Sequence, residues 1–295
     1  MDRPGRAQGS SYVARKGGWR RRIVLLLTLA MVAGAIYTAV EFLQRSETLV
    51  TERCTAVGSG GDDLATDQAA NAALISAVAV RRGLPARAAS IALATAMQES
   101  KLRNIGHGDQ AGPDSRGLFQ QRPSQGWGTE QQVMDPHYAT NAFYDALVKV
   151  PAYESLPITE AAQAVQRSAY PGAYAQHEAM ARAFASALAG HTAQGLDCSL
   201  RTPDAAGDPG EVRQRLAAAF GTIPAAVAGR TVTVEAQGTG AWAVAQWAVA
   251  NAKALSVTDV SVDGRGWNRL ARNGWQPGDA PAGKVTITVA EDPAA

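Results

Sequence analysis

Charge imbalance is the first thing this chain is short of: 28 lysines and arginines face 26 aspartates and glutamates among 295 residues, a formal net charge of +2. Proteins that bind polyanions carry a marked basic excess, so nucleic acid is not the expected partner. Histidine is scarce as well, with four residues at 107, 137, 177 and 191 whose scattered spacing fits no metal-ligand pattern. Ser-His-Asp nucleophile signatures are lacking, so neither a metal nor a cofactor is implied. No internal repeat or extended low-complexity segment is evident. Cysteine is down to two, Cys54 and Cys198, one before and one after the long central helical region. In an oxidising compartment they could pair, and closing so long a loop would restrict the unfolded chain by ~4–5 kcal/mol in the entropy model. Two unrelated thiols are the alternative.

One long uncharged run is present, IVLLLTLAMVAGAIYTAV from Ile23 to Val40. Helical at ~1.5 Å per residue, it matches about one bilayer thickness. Arg15, Lys16, Arg20, Arg21 and Arg22 stand in front of it, with Trp19 at headgroup level, and Glu41 closes the far side. The positive-inside rule then keeps the N-terminus cytoplasmic and puts everything after residue 42 outside. A cleaved signal peptide is the alternative, because Ala33-Gly34-Ala35 resembles a cleavage site; the run continues past that site and exceeds the ~7–15 residues of a usual signal core. Either reading exports the rest of the chain.

The expected organisation is a basic cytoplasmic tail over 1–22, a transmembrane signal-anchor over 23–42, and a juxtamembrane stalk over 43–65, whose closing GSGGDDLA buries nothing. Thr66 or Asp67 can cap a helix from Gln68 to Arg82, and Gly83-Leu84-Pro85 turns into a second helix running through Ala96. After a loop over 101–130, Asp135-Pro136 starts a helix to about Val150, stopped by Pro151. A helix from Thr159 to about Ala169 is broken by Pro171-Gly172, and AYAQHEAMARAFASALAG completes the set with Gly190 as terminator. Residues 66–190 are thus mainly helical, 191–210 read as a linker, and 211–295 as a small α/β module. In that module RTVTVEA and KVTITV alternate as strands around the helix-like AWAVAQWAVANAKAL, with VTDVSVDG a third strand. Trp242 and Trp247 lie five apart and do not share one narrow helix stripe; core packing is expected for them over a glycan- or partner-binding surface. The fold class is therefore mainly α with a small α/β addition.

One residue is out of place. Glu99 ends the alanine-rich stretch before the loop, four positions after Thr95 and eight after Ile91, so its carboxyl lies beside turns that face the core. Desolvation there raises the pKa of a glutamate, leaving it protonated near neutral pH and able to donate that proton as a general acid. A glutamate at a frayed helix end that meets water is the alternative.

Glu99-Ser100, then Gly106-His107-Gly108-Asp109, then Gly117-Leu118-Phe119-Gln120 resemble the lysozyme-like superfamily of soluble lytic transglycosylases and goose-type lysozymes. In that family the acid sits in a Glu-Ser pair ending a helix, followed by a Gly-Leu-Met-Gln element, and here Phe119 replaces the methionine. Asp135-Pro136 leading through Asn141 to Tyr144 and Leu147 looks like the family's Asn-Pro…Asn-Ile…Tyr-Leu helix, and Ala169-Tyr170 looks like the start of its Ala-Tyr-Asn-Ala-Gly element. The resemblance covers roughly residues 66–190.

It implies a lysozyme-like helical domain that cleaves the β-1,4 bond between N-acetylmuramic acid and N-acetylglucosamine in peptidoglycan, with Glu99 as acid and base. A lytic transglycosylase needs no second carboxylate. A hydrolytic muramidase ordinarily does, and Asp109 is the first choice for it, Asp114 the next; either could instead only shape turns among the glycines. A non-catalytic wall-binding scaffold that keeps the cleft is a further reading. Ser100, Gln120, Gln121, Trp127 and Tyr170 are the expected substrate-binding residues, Tyr170 also as partner of Glu99. Arg122 has two readings, a contact to a carboxylate of the peptide or to the muramic lactyl group, and a solvated loop charge. Departures from the family are Arg122 where goose-type enzymes hold an aspartate, Pro171-Gly172-Ala173 in place of Asn-Ala-Gly, and no secure counterpart of the family's intervening serine, since Ser115 lies closer to Gln120 than the pattern requires. The expected partners are peptidoglycan strands, the membrane through one helix, and envelope proteins through the C-terminal module.

Overall fold

The computed structural model describes residues 16–45, 47–110, 112–168 and 170–292. The first part of the basic tail, including Arg15, lies outside the described residues, as does Ala169. The chain divides into two units, Met1–Val50 and Thr51–Ala295. In the first, helix α1 (Lys16–Arg45) contains an apolar stretch of 24 residues, Trp19–Phe42, with mean hydropathy 2.4. It is long and apolar enough to cross a membrane or to serve as a signal sequence.

In the second unit the helices form where caps and prolines mark them. Helix α2 (Thr66–Arg81) opens with Gln68 reaching back to the Ala65 N–H at 2.8 Å. Pro85 caps α3 (Ala86–Ser100), and the short α4 (Glu130–Met134) begins with the reciprocal Thr129–Gln132 capping box. Asp135 accepts from the His137 and Tyr138 N–H groups ahead of α5 (Pro136–Leu147), with Pro136 in the first turn. Helix α6 (Ile158–Gln166) ends at Arg167 in the left-handed region, and α7 (Glu178–Leu188) follows a 3₁₀ turn over Ala175–His177. Helix α3 is buried along almost its whole length, with α2, α5, α6 and α7 packed around it. Its five alanines from Ala88 to Ala96 present little side chain, which lets neighbouring backbones come close while excluding water.

Two expectations about connecting segments are overturned. Within the presumed stalk, β1 (Arg53–Ala56) and β2 (Asp63–Leu64) are strands, and within the presumed linker so is β3 (Leu196–Ser199). They form one antiparallel sheet in the order β2-β1-β3, and Cys54 stands opposite Cys198 in register and is bonded to it. Leu64 and Leu196 are buried, so these segments do cover core. The hidden cause is distance along the chain: the bond joins residues 144 positions apart, and each strand is stable only with the other beside it.

The C-terminal part is not set apart either. Helix α8 (Pro209–Phe220) begins inside the presumed linker, capped by Asp208, and packs on α2. Helix α9 (Gly238–Ala250) is buried on every side from Ala241 onward, as a helix with no polar stripe must be. One side meets α2, α7 and β3; the other meets an antiparallel six-stranded sheet. That sheet runs β4 (Ala225–Ala228), β5 (Thr231–Glu235), β9 (Lys284–Val289), β6 (Val257–Val262), β7 (Arg265–Asn268), β8 (Trp275–Pro277). Its register lines up Val232, Ile287, Val260, Trp267 and Trp275, all buried, across five strands. Gln246 stitches α9 to the helical half: its amide nitrogen donates to Ala187 O at 2.6 Å and its oxygen accepts from Leu196 N–H at 2.7 Å. Trp242 packs edge-on against Trp275 and Trp247 against Phe220, as expected of core tryptophans. Among the described residues nine α-helices stand beside nine strands, so the fold is mixed α/β instead of mainly α.

Candidate active site

Everything at the site is arranged around the end of α3. The helix stops with two consecutive residues in the left-handed region, Lys101 and Leu102, both at φ 55°. Neither is glycine, and such backbone persists only where surroundings hold it. The hold comes from α2: Gln68 Nε2 donates to Lys101 O and Asn71 Nδ2 to Leu102 O, each at 2.8 Å, while the Leu102 N–H bonds back to Ala96 O. Leu102 itself is fully buried. Glu99, in the last turn, is thereby fixed in direction.

The element Gly117-Leu118-Phe119-Gln120 is the tip of a tight hairpin, with Arg116 and Gln121 exchanging both backbone hydrogen bonds at 3.0 and 2.9 Å and Gly117 N–H donating to Ile105 O. Gly117 has φ +77°, and a Cβ there would stand 2.2 Å from Val133 O, so glycine is required on both counts. Leu118 and Phe119 plunge into the core, Phe119 stacking on Phe143 with ring centroids 4.6 Å apart. Gln120, at φ 47°, is left facing outward. Ser100 ties this hairpin to α3: its hydroxyl lies 2.7 Å from Leu118 O and 3.0 Å from Ala96 O. Ser100 is therefore a buried brace, 2% exposed, and does not reach the cleft as a substrate-binding residue.

Glu99, Asp109, Gln120, Gln121, Trp127 and Tyr170 all border one open cleft of about 580 Å³, together with His107, Ser115, Arg122, Gln125, Gln166 and Ser168. Gln121 borders it with its side chain turned inward, 2% exposed, its amide nitrogen donating to Ala139 O at 3.0 Å while its Oε1 is buried without a hydrogen-bond partner. Tyr170 is 76% exposed at the rim and is not the partner of Glu99. That place belongs to Tyr174, wholly buried, whose hydroxyl donates to Glu99 Oε1 at 2.8 Å. Pro171-Gly172-Ala173 forms a turn that brings the second tyrosine of AYPGAY, not the first, onto the acid. Gln166, at the end of α6, donates to Phe119 O at 2.9 Å, and its amide lies near enough to Glu99 to pull the acid's pKa down. Neither Tyr174 nor Gln166 was singled out by the sequence; an amide one residue before a helix stop and a tyrosine one turn beyond the matched one gave the only signal.

Burial raises the Glu99 pKa above the ordinary carboxylate value; the bond from Tyr174 and the nearby Gln166 amide pull it down, and the charge of Asp109 adds to the rise. Desolvation wins, so the acid holds its proton to higher pH than a solvated glutamate. Burial first, and then the Glu99 carboxylate, keep the Tyr174 phenol protonated far above its usual range, so it remains a donor throughout. The two aspartates differ. Asp114 is bound by Ser124, whose N–H lies 3.0 Å from Oδ2, and by Arg122 Nε at 2.9 Å, which hold its carboxyl far below the usual range. Asp109, on the exposed loop, accepts from Gly112 N–H at 2.8 Å. A Cβ on Gly108 would stand 1.8 Å from Gly112 O, so the loop carrying Asp109 closes on itself only with glycine there. Among the described residues no three His, Cys, Asp or Glu side chains gather as a metal site.

No protein-family model matches this chain, and no curated protein matches it.

Proposed function

We propose that this protein is a membrane-anchored, glycan-cleaving enzyme of the lysozyme-like kind, acting outside the cell as a peptidoglycan lytic transglycosylase on the β-1,4 bond between N-acetylmuramic acid and N-acetylglucosamine. The observation that carries the reading is Glu99 itself: a half-buried carboxyl with a raised pKa, held by Tyr174 at 2.8 Å, in a cleft that Asp109 and Gln120 of two other matched elements also border. Glu99 donates its proton to the leaving glycosidic oxygen while positive charge develops at C1 of the muramyl ring. The carboxylate so formed, now stabilised by Tyr174 and Gln166, takes the proton from the C6 hydroxyl as O6 bonds to C1. The acid is regenerated and the product is a 1,6-anhydro sugar. Trp127, half-buried on the cleft wall, offers a ring face to a pyranose.

A second reading is favoured by Asp109, which borders the same cleft and acts on Glu99 through its charge. With Asp109 activating a water, the same site is a hydrolytic muramidase. Asp114 is a poor candidate for that role, being tied up with Arg122 and Ser124. The full chain incubated with purified peptidoglycan, with and without Glu99→Gln, separates the readings when the products are weighed. Anhydro ends support the transglycosylase and reducing ends the hydrolase; cleavage that survives Glu99→Gln sinks both.

A further inference from the structure

We infer that strand β4 is the docking edge for a second copy of this chain, the two β4 strands pairing antiparallel about a two-fold axis at Ala226 and joining their sheets into one. The inference does not depend on the glycan-cleaving reading. In the order β4-β5-β9-β6-β7-β8, the end strands β4 and β8 each have an open side. An open edge leaves backbone N–H and C=O groups unpaired, and proteins ordinarily guard it with charge, proline or a bulge. Strand β8 carries Pro277. Strand β4, Ala-Ala-Val-Ala in unbroken register with β5, has no such guard.

Which groups face outward follows from the ladder. The Glu235 N–H donates to Pro224 O at 3.1 Å, and the register continues with Ala225 opposite Val234 through Ala228 opposite Thr231. Hydrogen-bonded pairs alternate along an antiparallel ladder, so Pro224, Ala226 and Ala228 turn their backbone groups to β5, and Ala225 and Val227 turn theirs outward. Pro224 lacks an N–H only where that group would face β5, so the outer edge is intact. With Ala226 of one copy facing Ala226 of the other, Ala225 comes opposite Val227 of the second copy, and Val227 opposite its Ala225. Both are hydrogen-bonded pairs, so the outward N–H and C=O groups of both residues are satisfied on both copies. The neighbouring symmetric registers, centred on Ala225 or on Val227, pair only one of the two outward residues within the strand.

The side chains agree with this register. Ala225 and Val227 stand opposite Val234 and Val232, which are buried, and so share the apolar face of the sheet; Val227 is nevertheless 39% exposed. The second copy sets its Ala225 against Val227 and continues that face. No residue of β4 is charged, so pairing brings no like charges together within the strand, and alanine at the axis lets the backbones reach ladder spacing. A contact of four residues a side is small for a stable dimer in dilute solution. Copies anchored through α1, as proposed, meet at the raised local concentration that such a contact needs.

The test uses the full chain in phospholipid vesicles. Cys54 and Cys198 are bonded to each other, so one added cysteine is the only free thiol. Ala226→Cys should form a disulfide-linked dimer under mild oxidation, because Cβ atoms directly opposite each other lie ~4.5–5.5 Å apart. Ala228→Cys faces Pro224 of the second copy and lies four positions from its own counterpart, ~13 Å along the strand, so it should link about tenfold more slowly. Adding Val227→Pro to Ala226→Cys removes an outward N–H and should abolish that excess. Ala226→Lys sets like charges face to face across the axis and should convert pairs into single copies, counted by single-molecule photobleaching of labelled protein. Equal linking by the two cysteine variants, or an Ala226→Cys rate unmoved by Val227→Pro, overturns the inference. A parent protein that counts as single copies overturns it too, including one whose edge is filled by a foreign strand. Should Val227→Pro lower the melting temperature sharply, Ala226→Lys decides, and pairs that persist in it overturn the inference.

Discussion

Replacing Tyr174 by phenylalanine removes one oxygen and leaves the buried ring in place, so it isolates the hydrogen bond to Glu99. That bond, 2.8 Å to Oε1, favours the ionised acid over the protonated one. A hydrogen bond to a charged group contributes about 1.5–3 kcal/mol, and Gln166 continues to serve Glu99, so the lower end applies. Losing it raises the Glu99 pKa further. Since one pKa unit corresponds to about 1.4 kcal/mol, the alkaline limb of the kcat/KM profile, where the free acid is lost, moves to higher pH by about one unit. The assay is the initial rate of soluble muropeptide release from peptidoglycan across the neutral range, compared between the two proteins. At a pH above the original limb the variant keeps a larger share of its maximal rate, even though that maximum falls because the nascent carboxylate has lost a donor. A limb that stays put, or moves to lower pH, refutes the electrostatic role; a uniform drop at every pH leaves Tyr174 as a packing residue only.

On the proposed reading Glu99→Gln should abolish cleavage, and it should alter the pH dependence of stability. Because the folded pKa lies above the unfolded one, the contribution of this acid is fully present below the unfolded value and is lost as pH rises through the folded value. The variant therefore gains stability relative to the parent as pH increases, and melting curves at acid and neutral pH that differ by a constant offset would contradict this. Cys198→Ser opens a loop spanning 144 positions and should lower the unfolding free energy by about 5 kcal/mol in the entropy model, read from denaturant midpoints. Gly117→Ala forces a side chain onto φ +77° and against Val133 O at 2.2 Å, with a cost of more than about 1 kcal/mol. Turnover should fall far more than stability in that variant, because Gln120 and the Phe119 carbonyl move with the hairpin; an active, fully stable Gly117→Ala protein would show the hairpin to be unimportant.

The helices that carry the cleft were legible because their signals are local. Asp135-Pro136, Pro85 and Gly190 act within a turn of themselves, and the strand alternation of β5, β6 and β9 needs no partner to be seen. What escaped depends on residues far apart in sequence. Strands β1 and β3 are four residues each and mean nothing until Cys54 faces Cys198. The all-round apolar surface of α9 read as one helix of a separate module, although such a surface demands cover on both sides, and α2 and α7 supply one of them. At the site, Glu99 and the Gly117–Gln120 hairpin were visible as motifs. The shift from Tyr170 to Tyr174 was not, since it depends on how Pro171-Gly172 folds the chain back.

The bond between Cys54 and Cys198 also decides where tension runs. A pull applied between the apolar N-terminal helix and the C-terminal sheet enters at β1, crosses the sulfur bridge to β3, and continues along the chain from there. The segment in between, with every helix from α2 to α7 and the whole cleft, lies off that covalent route. If the apolar helix is a tether, as proposed, the cleft lies off the covalent line along which that tether would pull.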